Sequence, residues 1–408
     1  MLIAGFRAGM YLIYRTKRTS AVRRGFTLPK GTGHPRPIPS PLTSPKWGQH
    51  DEGSMVTIER NSVRAATAVT GMAALLAVAG CSGSGSATIT GEGSTAQQKA
   101  MAHFSEVLTE AGGAVLDYTG SGSGDGIKKF LAGDVDFAGT DSPLKDDEAA
   151  KANARCNGND AWHIPLVAGP VALAYNLPGV EKLTLSPTVL AKIFDSKITT
   201  WNDKEIAALN PGVTLPSTRI VPVHRSDSSG TTDNFQKFLQ LSAPQAWPYE
   251  HSKEFKGTGG SAAAKSTGVG DTVKKTAGSI TYVEWGFATE NDLGVAAIDF
   301  GAGPVALTAE SAAKALDAVT FTEPDSKNLV VDADVLFSSK APGAYPLILT
   351  PYSVVCSAGY PDAQTAPALR EAFTTILADG QKGLADIGYV PLPAGYRARL
   401  SPTIDALK

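Results

Sequence analysis

The sequence predicts an α/β protein built as two lobes, one inserted into the other. Three observations carry this expectation. From Ala87 onward, short β-like runs alternate with amphipathic helical patterns, the signature of layered α/β folds. Glycine- and serine-rich turns connect several of those strands to the helices that follow. Two apolar, extended segments, 164–176 and 345–355, read as crossings between lobes. The crossings divide the chain into a first lobe, 87–171 plus 345–408, and a second, 172–344. No internal repeat, heptad pattern or charge block interrupts this order.

The elements follow in turn. Residues 87–90 form a strand that leads into GEGST at 91–95. The next helix has Ala100, Phe104, Val107, Leu108 and Ala111 on its apolar stripe, and Gly112 and Gly113 end it. Residues 115–118 are a strand, and the glycine-rich run to Gly126 turns into a helix with Ile127, Phe130 and Leu131 on one face. The strand 135–139 runs into Thr140, Asp141, Ser142 and Pro143.

The first 80 residues differ from the rest, with eleven Lys/Arg against Asp51, Glu52 and Glu59 and six prolines between 29 and 45. Within them, 55–80 has a basic start, a short apolar run and small residues, the parts of an export signal. Its uncharged stretch, 65–80, is shorter than the roughly 20 residues of a comfortable bilayer span. The ending LAVAGC at 76–81 resembles a bacterial lipobox, with Cys81 as the lipidated residue; an ordinary membrane anchor is the alternative. Residues 1–54 are read as a non-mature extension, with translation starting at Met55, and 81–86 as a flexible tether. Without the leader, 26 basic and 36 acidic residues remain, a formal charge near −10. That sign argues against nucleic acid and anionic lipid as partners. Cys156 and Cys356 then form an even pair in an oxidising compartment, either a disulfide or two buried thiols.

Three strand-to-helix turns carry the chemistry: GEGST at 91–95, GSGSG at 120–124 and RSDSSGT at 225–231. Glycine lets backbone N–H groups approach a ligand, and the first N–H groups of a helix lack internal partners where the dipole is positive. A guanidinium at Arg225 adds to this an oxyanion grip. Each part has a plainer reading: a turn alone, Asp141 as an N-cap, Arg225 on the surface, Ser229 to Thr231 as a helix cap. Their conjunction favours one binding site. Neither nucleotide-loop pattern is present, and the histidines 103, 163, 224 and 251 are scattered with no zinc motif, so no cofactor or metal is expected.

GEGST (91–95), GSG (122–124 with Gly122, Ser123 and Gly124), AGTDSP (138–143) and RSDSSGT (225–231) occur here in the order seen in one family. They resemble the phosphate-binding protein of the bacterial high-affinity phosphate ABC transporter. KITTWND (197–203), ALNPG (208–212) and GSITYVE (278–284) extend the likeness over about 87–408. The resemblance implies a two-lobed, periplasmic-binding-protein-like (type II) α/β fold with a hinge between lobes. It implies inorganic phosphate as ligand, the transporter's permease as partner, a monomer, and a lipid anchor on the extracytoplasmic face as the sole membrane contact. Its ligand set falls on Ser94, Thr95 and the Ala96 N–H, on Ser123, on Asp141, and on Arg225, Ser229, Gly230 and Thr231, with Asp227 pairing Arg225. Ala96 stands where the family commonly has an aromatic, and Ser121 and Asp125 depart from commoner small or apolar residues.

Two rival readings stand beside this one. A sensor or adhesin would use the same site. An exported serine hydrolase is suggested by Ser142 to Lys145, of Ser-x-x-Lys form, yet Ser311 to Lys314 matches equally well and no partner motif accompanies either. The leader reading has a direct check. Mass spectrometry of the expressed protein should find no peptides from 1–54, and finding them would contradict a start at Met55.

Overall fold

The computed structural model describes residues 87–408; the assignments to 1–54, 55–80, Cys81 and the 82–86 tether lie outside the described residues. The first region runs β1 (Thr88–Gly93), α1 (Gln98–Glu110), β2 (Val115–Gly120), α2 (Ser123–Ala132), β3 (Phe137–Thr140), α3 (Asp146–Arg155) and β4 (Ala161–Ile164). The chain then enters β5 (Gly169–Asn176), β6 (Thr184–Leu185), α4 (Pro187–Phe194), α5 (Lys204–Leu209), β7 (Val221–Arg225) and α6 (Gly230–Ser242). β8 (Ser261–Ala263), α7 (Lys265–Lys275), β9 (Ser279–Glu284), α8 (Trp285–Glu290) and β10 (Gly294–Val295) follow. The remainder holds β11 (Ala297–Asp299), β12 (Pro304–Val305), α9 (Ala309–Leu316) and α10 (Ala333–Ser338). The chain returns through β13 (Ile348–Leu349), β14 (Tyr352–Cys356), α11 (Thr365–Ala378) and α12 (Ala394–Ile404).

One sheet has the order β2-β1-β3-β14-β4, and a second has β10-β5-β9-β7-β8 with β13 beside β5. In the first, β1, β2 and β3 are parallel, while β14 is antiparallel to both neighbours. Gly93 pairs with Gly120 and with Gly139, so all three strands end at one level. In the second, β7 lies parallel to β8 and β9, which places Arg225 and Glu284 at a common end. The carboxyl ends of parallel strands are where open α/β sheets leave room for ligands. Helix dipoles and uncapped N–H groups gather there too.

Sequence explains these choices. β3, β5 and β9 are buried along their whole length except Asn176, and the near-continuous apolar run of β5 suits a strand covered on both faces. α1 buries Ala100, Met101, Phe104 and Leu108. The stripe is therefore rotated from the expected one: Met101 joins it, Val107 is only half-buried, and Ala111 is exposed beyond the last turn. Gly93 is required, because its φ is +141° and a Cβ there would lie 2.0 Å from the Gly139 carbonyl oxygen. That close approach holds the first and third turns together.

The crossings are narrower than the apolar segments suggest. β4 ends at Ile164 and β5 begins at Gly169, while Thr350 and Pro351 separate β13 from β14. Gly169 and Pro170 pair with Leu349 and Ile348, so the two crossings run side by side in antiparallel register. The Tyr345 hydroxyl donates to the Val171 carbonyl at 2.8 Å and ties them again. Residues 320–331, counted by sequence with the second lobe, bond to the first: Leu329 N–H donates to the His163 carbonyl at 3.0 Å, and Arg399 donates to the Ser326 carbonyl at 2.6 Å. Cys156 and Cys356 are joined as a disulfide across a sequence separation of 200.

Trp201 anchors the second region: it is fully buried and its indole N–H donates to the Gly278 carbonyl at 3.0 Å. Trp201→Ala removes that bond and leaves a large cavity. Urea unfolding should show a loss of about 3–5 kcal/mol; a loss below about 1 kcal/mol would mean that the pocket collapses freely.

Candidate functional site

Where the two sets of strand ends face each other, the structure brings together every ligand residue expected from the sequence. Ser94 caps the short helical turn 95–97, its Oγ accepting from the Ala96 N–H at 3.0 Å. The same Oγ donates to Asp141 Oδ1. Ser123 opens α2, and its Oγ lies 3.4 Å from Asp141 Oδ2 while accepting from the Gly230 N–H at 3.2 Å. Ser229 is the N-cap of α6, taking the Thr232 N–H at 3.2 Å. Thr231 Oγ1 reaches Asp141 Oδ2 at 3.4 Å. Asn234, one turn into α6, donates to the Asp141 carbonyl at 2.7 Å.

These contacts join the two sheets' elements directly, and others repeat the pattern. The Gly124 N–H donates to the Ser228 carbonyl at 3.0 Å, and Thr95 Oγ1 meets Ser266 Oγ at 2.7 Å. Gly230 must be glycine for this approach, since a Cβ would stand 2.5 Å from Ser123 Oγ and 2.7 Å from Asp141 Oδ2. Ser94, Thr95, Ser123, Asp141, Arg225, Ser229 and Thr231 are all nearly inaccessible.

Arg225 ends β7 with its guanidinium in a fixed pose. Its Nε and Nη2 donate to the two carboxylate oxygens of Asp227 at 2.8 and 2.5 Å, a bidentate pair. Asp227 also accepts the Lys265 N–H at 2.9 Å. The side-on edge of the guanidinium is thus occupied, and the Nη1 end turns toward Ser266 Oγ at 3.4 Å. Burial pulls the Arg225 pKa down, but the Asp227 hydrogen bond and charge outweigh it, so the net shift is upward. Burial raises the Asp227 carboxyl, and Arg225 more than reverses this.

Asp141 carries the opposite balance. Burial raises its pKa to about 7, helped by the charge of Glu284, against the lowering effects of the Ser94 hydrogen bond and Arg225. The site therefore holds one paired cation and two carboxyls that lack cationic partners of their own. Two residues were not anticipated as site members. Glu284 ends β9, is buried, and accepts from Thr231 Oγ1 at 2.8 Å. Ser266 sits in the first turn of α7, beside Thr95 and Arg225. The readable signal for Glu284 was its place at a strand end just before a helix, the same position that singled out Asp141 and Arg225. Around Ser266 the run 261–268 carries too little β-pattern to mark a strand before the helix.

Among the described residues no cluster of His, Cys, Asp and Glu suited to a metal ion is present, and no helix is long and apolar enough to cross a membrane. Residues 142–145, the Ser-x-x-Lys match, bring no lysine to the serine: the Ser142 hydroxyl instead accepts from Asn234 Nδ2 at 3.3 Å.

Residues 80–378 match the family described as the PBP superfamily domain. The chain is 44% identical over 326 residues to phosphate-binding protein PstS 3 of Mycobacterium tuberculosis, covering 79% of this chain and 87% of that one. It is 41% identical over 320 residues to phosphate-binding protein PstS2 of Mycobacterium bovis, covering 77% and 86%. Among solved structures, a high-affinity periplasmic phosphate-binding protein bound with phosphate aligns with TM-score 0.63 and 24% identity, over 77% of this chain and 93% of that one. A phosphate-binding protein from Stenotrophomonas maltophilia aligns with TM-score 0.60 and 21% identity, over 78% and 94%. The structural likenesses speak to the two-lobed fold.

The raised Asp141 pKa has a signed consequence. Between the ordinary carboxyl range and about pH 7 the folded protein holds a proton that the unfolded chain has released, so stability falls as pH rises through that window. In Asp141→Asn this contribution is absent. The variant should gain stability relative to wild type between about pH 4 and about pH 7 by up to a few kcal/mol. A stability difference flat with pH, measured by urea unfolding of ligand-freed protein, would contradict the burial of this carboxyl.

Proposed function

The chain belongs to the PBP superfamily and, within it, to the phosphate-binding proteins of the PstS type, and on that premise we propose that it captures inorganic phosphate between its lobes. The observation that carries the reading is Asp141, a buried carboxyl met by the hydroxyls of Ser94 and Ser123 on one side and Thr231 on the other.

Phosphate near neutral pH still carries a proton, and an ionised carboxylate accepts hydrogen bonds without donating any. Asp141 takes the P–OH proton. Ser94, Thr95, Ser123, Ser229 and Thr231 supply hydroxyls to the remaining oxygens, with the N–H groups of Ala96 and Gly230. Arg225 contributes its Nη1 end, and Asp227 keeps the guanidinium aimed while moderating its charge. The N-termini of α2 and α6 add positive potential without a second full charge. This local field works against the negative net charge of the mature chain.

The ligand's own bonds replace the contacts that the cage residues make with one another. Ser123, Gly230 and Thr231 already reach across to the facing lobe, so the groups need only small adjustments to enclose an ion. Enclosure lowers the local dielectric and strengthens each bond, which is why both lobes must contribute. Fully ionised sulfate presents acceptors alone. It would set a desolvated oxygen against the Asp141 carboxylate, at a cost of several kcal/mol.

The protein works as a receptor that hands phosphate to the permease of an ABC transporter. It acts as a monomer with no catalytic role, tethered at the extracytoplasmic face through lipid on Cys81. In Asp141→Asn the amide can donate to a sulfate oxygen. Calorimetry on protein unfolded and refolded to remove bound ligand should show the preference for phosphate over sulfate, on the order of 10³ in the wild type, shrink by at least about tenfold. Unchanged discrimination would remove Asp141 from this role.

A further inference from the structure

Away from the cage, beside α9, the chain encloses a cavity of about 390 Å³ that phosphate capture does not use. The turn between β11 and β12, the start of α9 and residues 339–344 form its walls. Phe300, Val305, Ala306, Pro342 and Ala344 give it an apolar lining, and no residue of the cage reaches it.

Hydrogen bonds within the protein hold these walls in place. Asp299 Oδ1 accepts the N–H groups of Gly301 and Gly303 at 2.6 and 3.2 Å, which fixes the β11–β12 turn. Ile298 and Asp299 pair in antiparallel register with Val305 and Pro304. The Ser311 hydroxyl donates to the Ala306 carbonyl at 2.8 Å, and the Ser311 carbonyl accepts the Tyr345 N–H at 2.9 Å. Both flanking segments are thereby tied to α9. The Ala344 N–H closes a turn on the Ala341 carbonyl at 3.1 Å. Preformed walls, an apolar lining and this size match ordinary small-molecule sites, which run from roughly 300 to 1,000 Å³.

The charges at the edge set the ligand's chemistry. Of the three charged side chains lining the cavity, Glu310 and Lys314 pair with each other at 2.8 Å. Lys340 has no ion-pair partner among the described residues. It also lines a second depression, together with Phe300, and so stands on the ridge between the two. A lysine ammonium is a compact charge on an apolar stem, suited to meeting one acidic group at the mouth of an apolar site.

We propose that this cavity binds a small amphipathic anion, with an apolar chain or ring inside and one carboxylate or sulfonate against Lys340. A cation of the same shape would be repelled by Lys340, and Glu310 is already engaged with Lys314.

The probes are decanoate and decyltrimethylammonium, which share an alkyl chain and differ in charge, both kept below their micelle concentrations. Calorimetry on the full chain should show saturable decanoate binding at one per chain, with a dissociation constant below about 1 mM. Decyltrimethylammonium should bind at least about fivefold more weakly. In NMR, decanoate should move the amide resonances of 300–306 and 340–344 and leave those of 93–96 and 229–231 in place. Lys340 is exposed, so Lys340→Glu should fold normally; it should reverse the preference between the two probes. Absence of saturable decanoate binding would overturn the site. So would equal binding of the two probes, an unchanged preference in the variant, or resonance shifts confined to other regions. None of these readouts involves phosphate, so their failure would leave the reading of the cage untouched.

Discussion

A carboxyl with no cationic partner of its own, Asp141, sits at the meeting of two sheets, and the surrounding structure follows from the need to satisfy it. Burial, joined by the charge of Glu284, drives its pKa up to about 7 against the lowering effects of Ser94 and Arg225. Hydroxyls of Ser94 and Ser123 answer it from its own lobe and that of Thr231 from the other. The parallel registers of β1, β2 and β3, and of β7 and β9, set those groups at matching strand ends. Gly93 and Gly230 permit the two approaches that a side chain would forbid. A receptor built this way selects by protonation, because the ionised Asp141 carboxylate can only accept and so calls for a ligand that brings a proton.

The single guanidinium is handled differently. Asp227 holds Arg225 in a bidentate pair, so the cation brings geometry more than net charge to the cage. Attraction for an anion then falls to helix N-termini and hydroxyl dipoles, which are fixed by capping. Ser94 caps the first turn and Ser229 caps α6, and both are also candidate ligand groups. Local helix chemistry and recognition are carried by the same side chains.

Much of this was legible in the sequence because strand-to-helix turns announce themselves by glycine, serine and a change of hydrophobic period. That signal located Ser94, Ser123, Asp141 and Ser229 to Thr231. It missed Ser266, where β8 is three residues long and mostly exposed, so no apolar run precedes α7. It also passed over Glu284, although the residue closes a fully buried strand; a lone glutamate after an apolar run reads as a strand end. The apolar pattern continues from β4 into β5, so it cannot mark the four residues between them. The ties of residues 320–331 to His163 and Arg399 were illegible for a related reason: they are long-range hydrogen bonds that no local pattern encodes.

Phosphate capture by this cage is tested most directly by one titration. Wild-type protein, unfolded and refolded to strip any carried-over ligand, is titrated with inorganic phosphate in a calorimeter. Saturation at one equivalent with a dissociation constant at or below about 1 μM is the expected result. Absence of heat with phosphate, from protein shown to be refolded, would contradict the reading of this cage as a phosphate receptor.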